Sequence, residues 1–425
     1  MRRIATLIAA LLAGAAASQT IDTKIVDVTY KGTQAIYARA FKAYVANIEK
    51  MTKQKDPSFK GFGPKEREEW LDKKIEEIVY LQAAKDEGVA VSDTELDQKI
   101  ASIRETYGPG LNDEQFQARI KEDTGFSYAE YRTIIQSQMI RERFILSRLV
   151  KMAEKLVSDD AANKEIDKIR ANLEALAKQK NPSAVYGKAE FERDMQSLYK
   201  MSLDDFRRQV KLNLAYADLA KEASELKLFA PPTEQEVTRY YELNSTNFTR
   251  KETVRYSVIS VPTIGKDETG KKLAADLAES LAKEAKAGGF DAIIARARAD
   301  KTLGYSGGDG GYATKDSSYM SAVGEELFSI LFSLELGGVS KPVLTPAGYV
   351  IIRITEKYLP KLLELGDIAN LSTKETVAQG IFNALLQQKA QEGVLRLVEK
   401  KTTEELLKAT TLKPADYKKK FSFNW

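Results

Sequence analysis

The sequence predicts an α+β protein: a mostly helical module with one compact βαααβ domain inserted into it. Three observations carry this reading. Apolar residues at 3- and 4-residue spacing, opened by capping boxes, dominate from Gly32 to about 230 and return from 372 to about 400. Two β-branched runs, 254–261 and 348–354, enclose a stretch that reads as three helices. Pro231-Pro232 on one side and Leu359-Pro360 on the other bracket 233–358 as an insertable unit.

Composition bounds the chemistry. The 425 residues are 43% hydrophobic and 30% charged, a globular balance with room for several domains. There is no Cys and no His. That excludes disulfides, thiol nucleophiles, Cys/His zinc sites and every His-based triad or dyad. A general acid or base must come from Asp, Glu, Lys or Tyr. Without Arg2 and Arg3 the chain carries 63 basic and 61 acidic residues. A balance so close to neutral argues against a nucleic-acid surface.

The elements follow in order. Arg2 and Arg3, the apolar run 4–13 and the small residues 14–17 form a secretory signal (1–17), with cleavage expected after Ala17. The run is too short to span a membrane, so the mature form is expected to hold no integral membrane segment. Residues 24–30 read as a strand ended by Gly32. Trp70, Leu71, Ile75, Ile78, Val79 and Leu81 line one face of a helix that Gly88 stops. Ser92 with Glu95, and Ser127 with Glu130, cap the next helices. A repeat then appears. Glu95-Leu96-Asp97 recurs as Glu165-Ile166-Asp167, and Phe116, Ser127, Tyr131-Arg132 and Ile135 recur as Phe191, Ser202, Phe206-Arg207 and Val210. The helical module therefore divides into 18–152 and a second repeat, 153–230. Thr233 and Glu236 cap a short helix through Tyr240 and Tyr241. Residues 271–286, 290–298 and 327–334 supply the three helices between the strands. Five glycines between Gly304 and Gly311 read as a tight surface turn. They lack a Gly-Lys-Ser/Thr ending and the strand–helix context that a phosphate loop needs. A long helix capped by Ser372 and Glu375 runs to about Lys400. The aromatics Phe421, Phe423 and Trp425 are expected to pack elsewhere, so 359–425 is assigned to the helical module.

These residues also carry a resemblance. The segment 71–97, around Leu81-Gln82-Ala83-Ala84-Lys85-Asp86-Glu87-Gly88-Val89-Ala90-Val91-Ser92-Asp93, resembles the N-terminal domain of SurA-type periplasmic chaperones. Residues 252–357 resemble a parvulin-type peptidyl-prolyl isomerase. The matching pieces are strand 254–261, the run 290–296, Gly307-Gly308-Asp309-Gly310-Gly311, the run 331–343 and Gly348-Tyr349-Val350-Ile351-Ile352-Arg353. The resemblance implies two active-site histidines, but Val258 and Val350 stand at those positions, and the Asp-or-Cys position is Asp300. It implies a proline-binding cleft built on Val323 and Leu327, with Phe332 and Tyr349.

Rotation about a peptide bond crosses about 18–20 kcal/mol. A catalyst must supply an apolar proline pocket and placed hydrogen-bond donors. Two valines keep the groove and remove donors. The expectation is a periplasmic holdase for unfolded or nascent envelope and outer-membrane polypeptides, with a degenerate isomerase domain and client binding mainly in the helical module. No cofactor, metal or nucleic-acid partner is implied. Two alternatives stay open: an active parvulin using Asp300 and tyrosine hydroxyls, and a dedicated cell-envelope interaction protein.

Overall fold

The computed structural model describes residues 22–180, 185–300 and 302–425, so the expected cleavage site after Ala17 lies outside the described residues. The chain forms two compact units. One joins the residues up to Ala230 with Ala390–Trp425, and the other is Pro231–Lys389.

The first unit opens with an antiparallel hairpin, β1 (Lys24–Thr29) and β2 (Thr33–Tyr37), around Gly32. Ile25, Val26 and Val28 turn into the core. Helix α1 (Ala38–Lys55) follows, then α2 (Pro64–Asp86). Pro64 suits the first turn of α2, where no N–H is needed, and Glu66 accepts the Gly63 N–H at 2.7 Å. Gly88, at φ 71°, ends the run where a side chain would be strained.

Two helical triplets come next: α3 (Asp93–Tyr107), α4 (Asp113–Thr124) and α5 (Tyr128–Leu156), then α6 (Asp159–Lys180), α7 (Lys188–Leu198) and α8 (Leu203–Glu225). Each has its own small core, and the repeated residues occupy equivalent places. Leu96, Phe116, Ile120, Tyr131 and Ile135 meet in the first; Ile166, Phe191, Met195, Phe206 and Val210 meet in the second. Ser127 and Ser202 cap the equivalent third helices, each accepting the N–H three residues on. Arg132 pairs with Asp97 and Arg207 reaches Asn163, so both arginines tie the third helix back to the first.

The second unit begins with α9 (Glu234–Asn244), capped by Thr233 and Glu236, and a short strand β3 (Thr249–Arg250). Then come β4 (Thr253–Pro262), α10 (Glu268–Glu284), α11 (Phe290–Ala299), β5 (Ser306–Thr314), α12 (Ser317–Val323), α13 (Glu325–Ser333), β6 (Val343–Thr345) and β7 (Gly348–Tyr358). The four longer pieces make an antiparallel sheet in the order β5-β4-β7-β6. The glycine-rich segment is therefore a strand, correcting the turn read from sequence. A Cβ on Gly310 would lie 2.2 Å from the Tyr256 ring, and one on Gly307 would lie 2.9 Å from Ile294. Glycine is there so that a ring and a helix can close on the backbone. Strand alternation gives the sheet two apolar faces. Ile259, Val261 and Ile351 pack on α10 and α11; Val254, Ala313, Ile352 and Ile354 pack on Leu331 and Phe332 of α13.

After β7 the chain does not return to the helical unit at once. Strand β8 (Lys361–Leu362) pairs with β3, and β9 (Ile368–Asn370) pairs with β10 (Glu375–Thr376). Helix α14 (Val377–Lys408) starts later than read from sequence, because Lys374 adopts φ 61° and the cap is Thr376 with Gln379. Val237, Leu363, Val377 and Ile381 share a core. Residues 359–389 thus belong to the second unit, and the assignment of all of 359–425 to the helical module is corrected to 390–425.

Beyond Lys389, α14 places Val394, Leu397, Val398 and Leu406 in the first unit's main core, with Phe41, Leu71, Ile78 and Phe144. Strand β11 (Thr411–Lys413) pairs with β1, and α15 (Tyr417–Lys420) leads into the aromatic segment 421–425. Gly393 admits the Phe229 ring, which would lie 2.3 Å from a Cβ there.

Candidate functional site

The α13 side of the four-stranded sheet carries the positions singled out for catalysis. Val258 sits opposite Ile352 on β7 and Gly308 on β5, half-buried against Leu331 and Phe332. Val350, two residues from Ile352 along β7, shares that face and pairs with Ser260 and Val343. Leu327 is half-buried against the same apolar group. Phe332 is 8% exposed with its ring 4.9 Å from that of Phe328, so it is core rather than lining. Val323 ends α12, half-buried, next to Gly324.

Two expected residues stand apart. Tyr349 packs on the opposite face, among the residues that meet α10 and α11. Asp300 is exposed at the end of α11, where its carboxylate accepts the Thr302 hydroxyl and N–H at 2.6 and 2.8 Å. Those bonds hold its pKa below the usual carboxylate range and engage its Oδ1 in a turn.

The polar groups on the valine face are hydroxyls: Ser260, opposite Val350, and the phenols of Tyr256 and Tyr319. The Tyr256 and Tyr319 hydroxyls lie 3.2 Å apart, and burial, reinforced by that bond, raises the Tyr319 pKa well above the ordinary tyrosine value. Both tyrosines border the Val258 group. The sequence offered tyrosine hydroxyls as donors without singling out this pair, and Tyr319 carried no signal.

The glycine motif has a structural occupation. Arg255 on β4 binds Asp309 at 2.8 Å and Glu356 at 3.1 Å, and the Tyr312 hydroxyl donates to Glu356 at 3.1 Å. This network ties β5, β4 and β7 and borders a pocket of about 380 Å³ that also meets Asp291, Ser257 and Arg298. A larger groove of about 900 Å³ lies between α9 and the start of α14, lined by Val237, Thr238, Leu365, Ala378 and Phe382.

With this geometry in hand, the comparisons with known proteins are specific. A family model for a SurA-like N-terminal domain matches residues 3–145, and one for a PPIC-type PPIase domain matches 232–370. The chain carries a SurA-like N-terminal domain and a PPIC-type domain. The second triplet falls between the two matches. Similar solved structures include PrsA from Bacillus subtilis, at 21% identity over 68% of this chain and 88% of that one, with a TM-score of 0.27. Another comes from work on the SurA-like chaperones PEB4 and Cj1289 of Campylobacter jejuni, at 12% identity over 91% and 98%, with a TM-score of 0.26. No curated protein matches. Among the described residues no helix is long and apolar enough to cross a membrane.

Within the PPIC-type domain the site keeps an apolar sheet face and lacks imidazoles. Its Tyr256 and Tyr319 hydroxyls are turned toward each other. Such a face can bury apolar peptide surface at about 25 cal/mol per Å² before ordering costs. It offers few donors for a twisted amide.

Proposed function

We propose that this protein is an exported holdase that binds unfolded or nascent envelope and outer-membrane polypeptides, with a PPIC-type domain that has lost most or all isomerase rate. The observation that carries the reading is the valine face: Val258 and Val350 share one side of an intact sheet, and Asp300 is committed to Thr302. A fold retained without its donors fits binding better than catalysis. Client holding is assigned mainly to the helical unit, whose paired triplets add exposed apolar positions such as Leu176, Leu198 and Tyr199. Release needs no nucleotide; it follows when the client folds elsewhere. Export is read from the signal pattern at 1–17.

The test pairs two assays on one preparation. Light scattering of a diluted unfolded outer-membrane protein should fall on adding the protein, while proline-isomer exchange of a model peptide stays near its uncatalysed rate. Exchange as fast as with an ordinary parvulin would favour the rival reading, in which the Tyr256–Tyr319 pair donates.

A further inference from the structure

The second unit carries a knob and a groove of matching chemistry. The knob follows β4. Gly265, at φ 75°, closes a turn in which the Lys266 N–H donates to the Thr263 carbonyl at 3.2 Å, leaving Ile264 at the tip. Ile264 is 74% exposed, and Leu273, on α10, is 65% exposed. Between them Asp267 caps α10, accepting the Gly270 N–H at 2.7 Å, and Glu268 pairs with Lys271 at 2.7 Å. Lys266 and Lys272 are exposed and meet no carboxylate among the described residues.

The groove of about 900 Å³ between α9 and the start of α14 is the complement. Val237, Leu365, Ala378 and Phe382 give it an apolar lining, and Phe382 is still 36% exposed. Glu234 and Glu375 also line it. Glu375 accepts the Asn383 amide at 2.7 Å, and neither carboxylate meets a cation among the described residues. Register sets knob and groove apart. Thr253 pairs with Tyr358 at one end of the β4–β7 ladder and Pro262 with Gly348 at the other, ~30 Å away at about 3.3 Å per residue. The groove's elements precede Thr253 and follow Tyr358, whereas the knob leaves from Pro262. A knob therefore meets a groove on another copy, and two copies laid antiparallel satisfy both contacts at once.

We propose that a second copy of this chain fills the groove. Two second units pair about a two-fold axis, each inserting Ile264 and Leu273 into the other's groove and setting Lys266 and Lys272 against Glu234 and Glu375. Such an isologous pair closes on itself instead of growing into a chain. The ion pairs at its rim fix the orientation and make association sensitive to salt. The pairing goes beyond the holdase reading and stands whether or not either copy holds clients.

Sedimentation equilibrium of the full chain, across a wide concentration range, should show a monomer–dimer equilibrium that added salt weakens. Lys266→Glu with Lys272→Glu, and separately Glu234→Lys with Glu375→Lys, should each raise the dimer dissociation constant about tenfold or more. Mixing the two variants should restore pairing, because reversed knob then meets reversed groove and unaltered knob meets unaltered groove. If either variant melts below the unaltered protein, cysteines decide, since the chain has none of its own. Leu273→Cys mixed with Phe382→Cys should give a covalent dimer under mild oxidation that neither forms alone. A dimer untouched by both reversals, or cysteines that do not cross-link, overturns the proposal. A chain that is monomeric at every concentration overturns it in favour of a foreign occupant, and a mass above the dimer overturns the two-fold arrangement.

Discussion

A protein without histidine should still lose stability between pH 5 and 8, and Glu77 is the reason. It lies on α2 in the first unit's core, 5% exposed. One carboxylate oxygen takes Lys74 Nζ at 3.0 Å and the other is buried without a partner. Burial pushes its pKa from an ordinary 4.5 up to about 7, against the opposing pull of Lys74 and Arg141. Below pH 4.5 the group is protonated in both folded and unfolded chains, and its favourable contribution is fully present. As pH rises toward 7 the unfolded chain ionises first, so that contribution is lost and does not return above 7. At 1.36 kcal/mol per pKa unit the loss is about 3 kcal/mol. Glu77→Gln fixes the neutral form. It should match the unaltered protein at pH 4 and exceed it by about 3 kcal/mol at pH 8, roughly 6–12 °C in melting temperature for a unit of this size. Thermal melts followed by circular dichroism at both pH values measure this. Parallel stability curves for the two proteins would refute the reasoning.

Other expectations follow from the same geometry. Isomerase rate should stay near background and flat from pH 5 to 8, because no imidazole titrates there; Val258→His with Val350→His should raise it if those valines stand in the reacting positions. Gly310→Val should destabilise the second unit by about 1–3 kcal/mol in urea melts, as its side chain must displace the Tyr256 ring, whereas Gly308→Ala meets open space and should change little. Replacing 231–389 with a short Gly/Ser bridge should leave a cooperative helical unit that still suppresses aggregation, since Phe229 already packs on Gly393 and Arg396 donates to Leu228 at 3.0 Å. Ending the chain at Asp367 should unfold that unit by removing Val394, Leu397, Val398 and Leu406 from its core, read as loss of its melt.

Much of this architecture was legible because local signals and tertiary packing agree. Ser92, Ser127, Ser202 and Thr233 cap the helices their sequence pattern announces. The repeat was visible because each triplet must bury the same few positions. The failures have physical causes. Strand β5 read as a turn because its glycines answer to Tyr256 and Ile294, residues distant in sequence. The helix expected at Ser372 yields to the β9–β10 pair, since tertiary pairing overrides a plausible cap. Strand β6 is too short to show a period. At the site, alternation alone could have put Tyr349 and Val350 on opposite faces, because neighbours in a strand cannot share one. The Tyr256–Tyr319 contact needed the sheet and α12 together.

The pairing of Asp27 with Lys413 sets an order of events during synthesis. The first strand and its partner are separated by almost the whole chain. The core they close also needs Val394, Leu397, Val398 and Phe423. A chain emerging from its N-terminus therefore presents the apolar stripes of α1, α2 and α5 before their last partners exist. The second unit is contiguous, so it can fold first and shorten the loop that remains to be closed. Maturation of the helical unit is then a late, single closure. Until it happens, a protein read here as a guardian of unfolded chains is itself a candidate client.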